Sequence, residues 1–171
     1  RLHVFHLSTA KELELFSNQL PLKEKKITCE VCIHHLTFSD QDYDKLGSKI
    51  KWNPAVKTSN DRDKLWYALN NDLIDVIATD HAPHTAEEKQ NPYISCPSGG
   101  PLVQHSLVSM LEAHHQQKIS LEKIVQKMCH NPAILFDVSK RGFIQEGFYA
   151  DLVIFDIKSC LLYTSDAADD I

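Results

Sequence analysis

Apolar and polar residues alternate at the start of the chain, with Leu2, Val4 and His6 on one side and His3 and Phe5 on the other, which predicts a strand. Ser8 then stands as a helix cap ahead of Leu13, Phe16 and Leu20, spaced to share one face, with Pro21 beyond them. A second strand is predicted from Lys26 to Ile33, ending on His34 and His35. Ser39, with Asp42 three places on, marks a capping box for a short helix from Tyr43 to Leu46. Asn53-Pro54 reads as a turn, and Asn60 or Asp61 starts a helix through Leu65, Trp66 and Leu69. The β-branched run Val76-Ile77-Ala78 predicts a third, buried strand. It stops on Thr79-Asp80-His81, and Pro83 prevents regular structure from continuing.

After a polar loop from Thr85 to Pro97 comes Ser98-Gly99-Gly100-Pro101, then a helix through Leu107, Met110 and Leu111. Another helix is capped by Ser120, carries Leu121, Ile124, Val125 and Met128, and is expected to end before Asn131-Pro132, with a last turn over Ala133 to Phe136. Asp151 to Asp156 reads as a strand, whereas 158–171 shows no period of either kind and is expected to be a disordered or artefactual tail. Strand and helix alternate three times before the final helices, which is the order of an α/β protein with a parallel sheet. Three such repeats are too few for a closed eightfold barrel of ~250 residues. The expected fold class is therefore the C-terminal part of a (β/α)8 TIM-type barrel, with further sequence upstream of Arg1.

Composition narrows the functions. The 23 acidic residues outnumber the 18 basic ones, giving a net charge of −5, and no basic cluster exceeds Lys23 to Lys26, which argues against nucleic acid as a partner. No apolar run approaches the ~20 residues of a membrane span, and no signal peptide is visible. The five cysteines are scattered and odd in number, as expected of reduced thiols in a cytoplasmic protein. Ten histidines in 171 residues direct attention to metals.

All three predicted strands end on residues able to bind metal or move protons: His6, then His34-His35, then Asp80-His81. In a parallel barrel these ends converge on one mouth, where ligands are found. Zinc takes imidazole nitrogen and carboxylate oxygen and lowers the pKa of bound water to roughly 7, while a neighbouring carboxylate can carry the proton. The phase of His6 with Leu2 and Val4 is expected to carry it into that mouth. Cys29-x-x-Cys32 sends its thiols to opposite faces of a strand and has no second pair, so a structural role is expected. His105, His114, His115 and His130 read as cap or surface residues, and Glu87-Glu88-Lys89 as a solvated turn.

His6-Leu7-Ser8-Thr9, Glu30-Val31-Cys32-Ile33-His34-His35-Leu36, Asn53-Pro54 and Thr79-Asp80-His81-Ala82-Pro83-His84 resemble, in order and spacing, the motifs of class I bacterial dihydroorotases, members of the amidohydrolase superfamily. The resemblance covers about residues 1–157, and Gly147 to Ile154 resembles the family's return to a small β-sandwich. It implies a barrel piece at 1–140 and sandwich strands at 141–157. It also implies the reversible interconversion of N-carbamoyl-L-aspartate and dihydroorotate in pyrimidine biosynthesis, a small-molecule substrate, and zinc, two ions per complete site. By position, His6 is implied as a metal ligand and Asp80 as both ligand and acid-base group. Asn53 and His84 are implied to hold the ring and its carboxylate, and Ser98 and Gly99 to offer backbone groups. For His34 and His35 the expectation is packing or support of the ligands. A homo-oligomer, or a partner subunit of the same pathway, is also implied. The family's His-x-His, bridging carboxylate or carboxylated lysine, and fifth-strand histidine are absent, so the chain alone is expected to bind zinc weakly and not to turn over. Asn53-Pro54-Ala55 departs from the more usual Asn-Pro-Pro. Two alternatives remain: a dihydropyrimidinase, hydantoinase or allantoinase, and a non-catalytic scaffold.

Overall fold

The computed structural model describes residues 1–157 and the backbone of 161–165. Strands β1 (Leu2–Val4), β2 (Ile27–Cys32) and β3 (Val76–Ala78) form a parallel sheet in the order β1-β2-β3, with Leu2 opposite Ile27 and Glu30 opposite Val76. Helices α1 (Ile33–Thr37), α2 (Tyr43–Leu46), α3 (Ser59–Asn70), α4 (Ser106–His115), α5 (Leu121–Val125) and α6 (Asn131–Leu135) complete the main body. Parallel strands need crossovers; the one between β2 and β3 carries α1 to α3, and α3 together with α4, which follows β3, covers one face. Cys29, Val31 and Ile77 from that face are buried with Leu65 and Leu69 of α3 and Met110 and Ala113 of α4, and Val4 packs against the same core. This is part of a TIM barrel.

The opposite face carries the alternate positions. There the His3 ring contacts Thr28 Oγ1 at 2.9 Å and Glu30 Oε2 at 3.0 Å. The register corrects one expectation. Val4 belongs to the helix-facing stripe, so period-two alternation does not bring His6 to the mouth.

Helix boundaries differ from expectation for identifiable reasons. After β1 there are only 3₁₀ segments, Lys11–Leu15 and Leu22–Glu24, in place of a helix reaching Leu20. Just ahead of the first, Thr9 Oγ1 accepts from the Glu12 N–H, while the Glu12 carboxylate accepts from the N–H groups of Ser8 and Thr9. Phe16 is already extended, and Leu20 is exposed. The second strand stops at Cys32, so His34 and His35 lie in the first turns of α1. The Ser39–Asp42 capping box is present ahead of α2. For α3 the cap is Thr58, paired with Asp61, rather than Asn60 or Asp61 itself. The expected break before Asn131-Pro132 does not occur. A π-helical turn, Gln126–His130, joins α5 to α6 and seats Pro132 in the first turn of α6, where no helical N–H is required.

Strand β4 (Leu152–Asp156) forms as expected, paired antiparallel with β5 (Leu161–Ser165), although that segment lies in a stretch expected to lack regular structure. The rest of that stretch, 158–160 and 166–171, lies outside the described residues.

Candidate active site

His6 follows β1, and Asp80 follows β3, each by two residues, so the parallel sheet puts both at its carboxyl end. Both are half-buried and adopt left-handed backbone conformations, with φ of 40° and 47°. Such conformations are uncommon outside glycine and cost of order 1–3 kcal/mol each. The left-handed turn at His6 breaks the strand alternation, so the stripe of Leu2 and Val4 does not extend to it.

The helix that follows β2 adds a pair of buried, neutral imidazoles. His34 and His35 are buried, and His34 stacks on Trp52 with ring centroids 4.5 Å apart and planes 6° apart. Among the described residues, neither ring nitrogen of His34 has a hydrogen-bond partner, nor does Nδ1 of His35. His35 Nε2 donates to the Pro54 carbonyl at 3.1 Å, which fixes the proton on Nε2 in the neutral ring. Burial pulls the pKa of His34 down to about 2 and that of His35 to about 4. Behind the larger effect of burial, His6 lowers and Asp80 raises the pKa of His35 electrostatically. This pair also meets the turn at Asn53-Pro54, whose peptide bond is cis and whose Asn53 is exposed.

Of the remaining predicted residues, His84 and Gly99 line a cavity of about 340 Å³ together with Trp52, Lys89, Gly100 and Leu102, among others, whereas Asn53 and Ser98 do not line it. His84 Nε2 donates to the Ser98 carbonyl at 3.0 Å, and its Nδ1 lies 3.7 Å from Glu88. Gly99 has φ of 121°, and a Cβ there would stand 2.6 Å from both Cβ and O of Ala82, so only glycine fits. Its N–H donates to the Lys51 carbonyl and its own carbonyl accepts from Lys89. The Gly99 backbone groups expected to meet substrate are thus engaged within the protein. His81, exposed beside Asp80, accepts from the Val103 N–H. His6 and Asp80 do not line this cavity.

Sequence reasoning missed Lys89. It reads as part of a charged turn, yet its ammonium reaches three backbone carbonyls. Nothing local announces this, because the acceptors come from distant segments. The expected surface histidines are unevenly placed: His105 and His115 are exposed, His114 Nδ1 meets the Ile119 carbonyl, and His130 stacks on Phe143. Cys29 and Cys32 are both buried thiols, and burial pushes the pKa of Cys29 up to about 12, which suits a structural role.

The pattern of the amidohydrolase family matches residues 2–170. The chain belongs to that family. It is 38% identical over 155 residues to the dihydroorotase of Ehrlichia canis (strain Jake), covering 91% of this chain and 34% of that protein. With the dihydroorotase of Clostridioides difficile (strain 630) it shares 39% over 131 residues, 76% of this chain and 31% of that protein. It therefore spans about a third of the length of the curated relatives it matches. Among solved structures, the L-hydantoinase (dihydropyrimidinase) of Arthrobacter aurescens superposes with a TM-score of 0.80 at 28% identity, over 91% of this chain and 37% of that one. The Saccharomyces cerevisiae dihydroorotase in complex with 5-fluoroorotic acid superposes at 0.71 over 80% of this chain and 38% of that one. At 17% identity that second likeness speaks for the fold alone. The resemblance read from the motifs and the barrel architecture are both borne out.

As a zinc site, the donor set fits in kind but is partial. His6 offers imidazole nitrogen and Asp80 carboxylate oxygen, the ligand types of catalytic zinc. Among the described residues no group of three or more His, Cys, Asp or Glu side chains is arranged to hold a metal. Nor, among those residues, is any helix long and apolar enough to cross a membrane.

Proposed function

We propose that this chain is the C-terminal third of a cyclic amidohydrolase, and specifically of a dihydroorotase interconverting dihydroorotate and N-carbamoyl-L-aspartate in cytoplasmic pyrimidine biosynthesis. The observation that carries this reading is the arrival of His6 and Asp80 at the same end of a parallel sheet. Residues 1–140 supply the end of the barrel, and 141–157 open a small β-sandwich.

His6 and Asp80 would hold zinc together with ligands from outside this chain; when bound, the metal would polarise the ring carbonyl and lower the pKa of water. In the hydrolytic direction a water adds to the amide carbonyl carbon and the ring C–N bond breaks. The Asp80 carboxylate takes the proton from that water and passes it to the departing nitrogen, so one group serves as base and then as acid. His35, held neutral by burial, adds no competing positive charge near Asp80. His84, Ser98, Gly99 and Asn53 surround the substrate ring, with His84 nearest its carboxylate. Because His84 Nε2 and both backbone groups of Gly99 have partners inside the protein, substrate entry must exchange some of these bonds.

A hydantoinase-type substrate is the second reading, favoured by the superposition on the Arthrobacter aurescens enzyme. Assaying the whole protein against dihydroorotate, dihydrouracil and hydantoin separates the two. Selective turnover of dihydroorotate is expected, with His84→Ala raising KM for it. Preference for a ring without a carboxylate would reject the dihydroorotase reading.

A further inference from the structure

We propose that Lys89 is a positioning residue for the substrate subsite, setting its shape through the backbone without touching substrate. This inference rests on the dihydroorotase reading for the identity of the substrate, though not for the geometry. Lys89 Nζ donates to the carbonyls of Lys51 at 3.2 Å, Pro97 at 3.0 Å and Gly99 at 3.0 Å. Lys51 stands two residues ahead of Asn53, while Pro97 and Gly99 flank Ser98. One ammonium thus ties together the backbones that carry Asn53, Ser98 and Gly99. The fourth residue, His84, lines the same cavity as Lys89 and donates to the Ser98 carbonyl.

The arrangement uses the chemistry of the group fully. An ammonium has three donors and no acceptor, and here each donor has its own carbonyl. Lys89 therefore has no hydrogen left for a substrate carboxylate and acts only through what it holds. The Gly99 N–H donates back to Lys51 at 2.9 Å, closing the link between the two segments from the other side. The Lys89 backbone is itself held, its carbonyl accepting from Ser48 Oγ at 2.9 Å. Lys51 clamps the outer loop separately, donating to the carbonyls of Tyr93, Ile94 and Cys96. Removing the Lys89 ammonium strips three carbonyls of a charged donor at once, and the cavity wall is where that loss is felt.

The test pairs Lys89→Met with Lys89→Arg. In the 171-residue chain, hydrogen exchange of the Gly99 amide should quicken at least tenfold in Lys89→Met, with β2 amides unchanged as the control for folding. In the whole protein, Lys89→Met should raise KM for dihydroorotate about tenfold, leave kcat within threefold and leave zinc content unaltered. Lys89→Arg, which keeps charge and multiple donors, should recover most of both effects. Unchanged Gly99 exchange, or exchange that quickens with no rise in KM, overturns the proposal. A loss confined to kcat overturns it too. If Lys89→Met also frees the β2 amides, Lys89→Arg decides: parental exchange and KM support the tripod, and a loss of both refutes it. If the parent protein does not act on dihydroorotate at all, the functional reading fails, and the Gly99 exchange alone then accepts or rejects the tripod.

Discussion

The ammonium of Lys25 and the carboxylate of Asp75 meet at 2.6 Å with 7% and 4% of their side chains exposed. Asp75 also accepts from the Cys29 N–H at 3.0 Å, joining β2 to the residue just ahead of β3, while the Asp75 carbonyl accepts from Asn131. The cluster sits at the amino end of the strands, away from His6 and Asp80. Removing one partner of a buried pair leaves an uncompensated charge, at a cost of about 3–5 kcal/mol. Asp75→Ala should therefore lower the urea midpoint sharply and leave zinc binding by the folded fraction unaltered, as chemical denaturation and metal titration can check.

Acid should destabilise the protein through its buried histidine pair. The folded-state pKa values of His34 and His35, about 2 and about 4, lie below the unfolded value near 6.5. The unfolded chain thus binds these protons first, so stability is full above pH 6.5 and falls as pH drops toward 4, by about 1.4 kcal/mol per pH unit for each histidine. Replacing His34, whose ring nitrogens have no partners and whose face stacks on Trp52, removes one of the two. Urea midpoints of His34→Phe and parent at pH 7 and pH 5 should show a visibly smaller acid loss in the variant.

Gly99→Ala should disturb the subsite more than the core. The added Cβ would meet Ala82, the residue between His81 and Pro83, at 2.6 Å in a backbone conformation that alanine rarely adopts. A rise in KM for dihydroorotate of tenfold or more, with a thermal midpoint within a few degrees of the parent, is the expected outcome.

Much of this architecture is legible in the residues themselves. Val76 to Ala78, stopped by Pro83, identifies β3, and Asp80 falls at its exit as read. Ser39 with Asp42 announces its capping box, because both partners are three residues apart. What local pattern misses is whatever depends on distant partners or a reversed backbone. Alternation places His6 with Leu2 and Val4, yet its φ of 40° interrupts the strand. Proline at 132 signals a stop, but Lys127, bonded to Ile74, and Asn131, bonded to Asp75, hold the helical run across it. Lys89 looks like solvent-facing charge because its three acceptors lie 38, 8 and 10 residues away.

Alone, the 171-residue chain should bind zinc weakly, since His6 and Asp80 are too few for a closed site. Zinc titration of the chain monitored by calorimetry should give an affinity well below that of the whole protein, with no dihydroorotate turnover. Turnover by the chain alone would refute this.

The central claim, that Asp80 moves the proton at a metal shared with His6, is tested most directly by dihydroorotate hydrolysis in zinc-loaded whole protein carrying Asp80→Asn. General acid-base catalysis contributes about 10²–10⁴-fold, so kcat should fall by at least two orders of magnitude. Hydrolysis at the parental rate would contradict it.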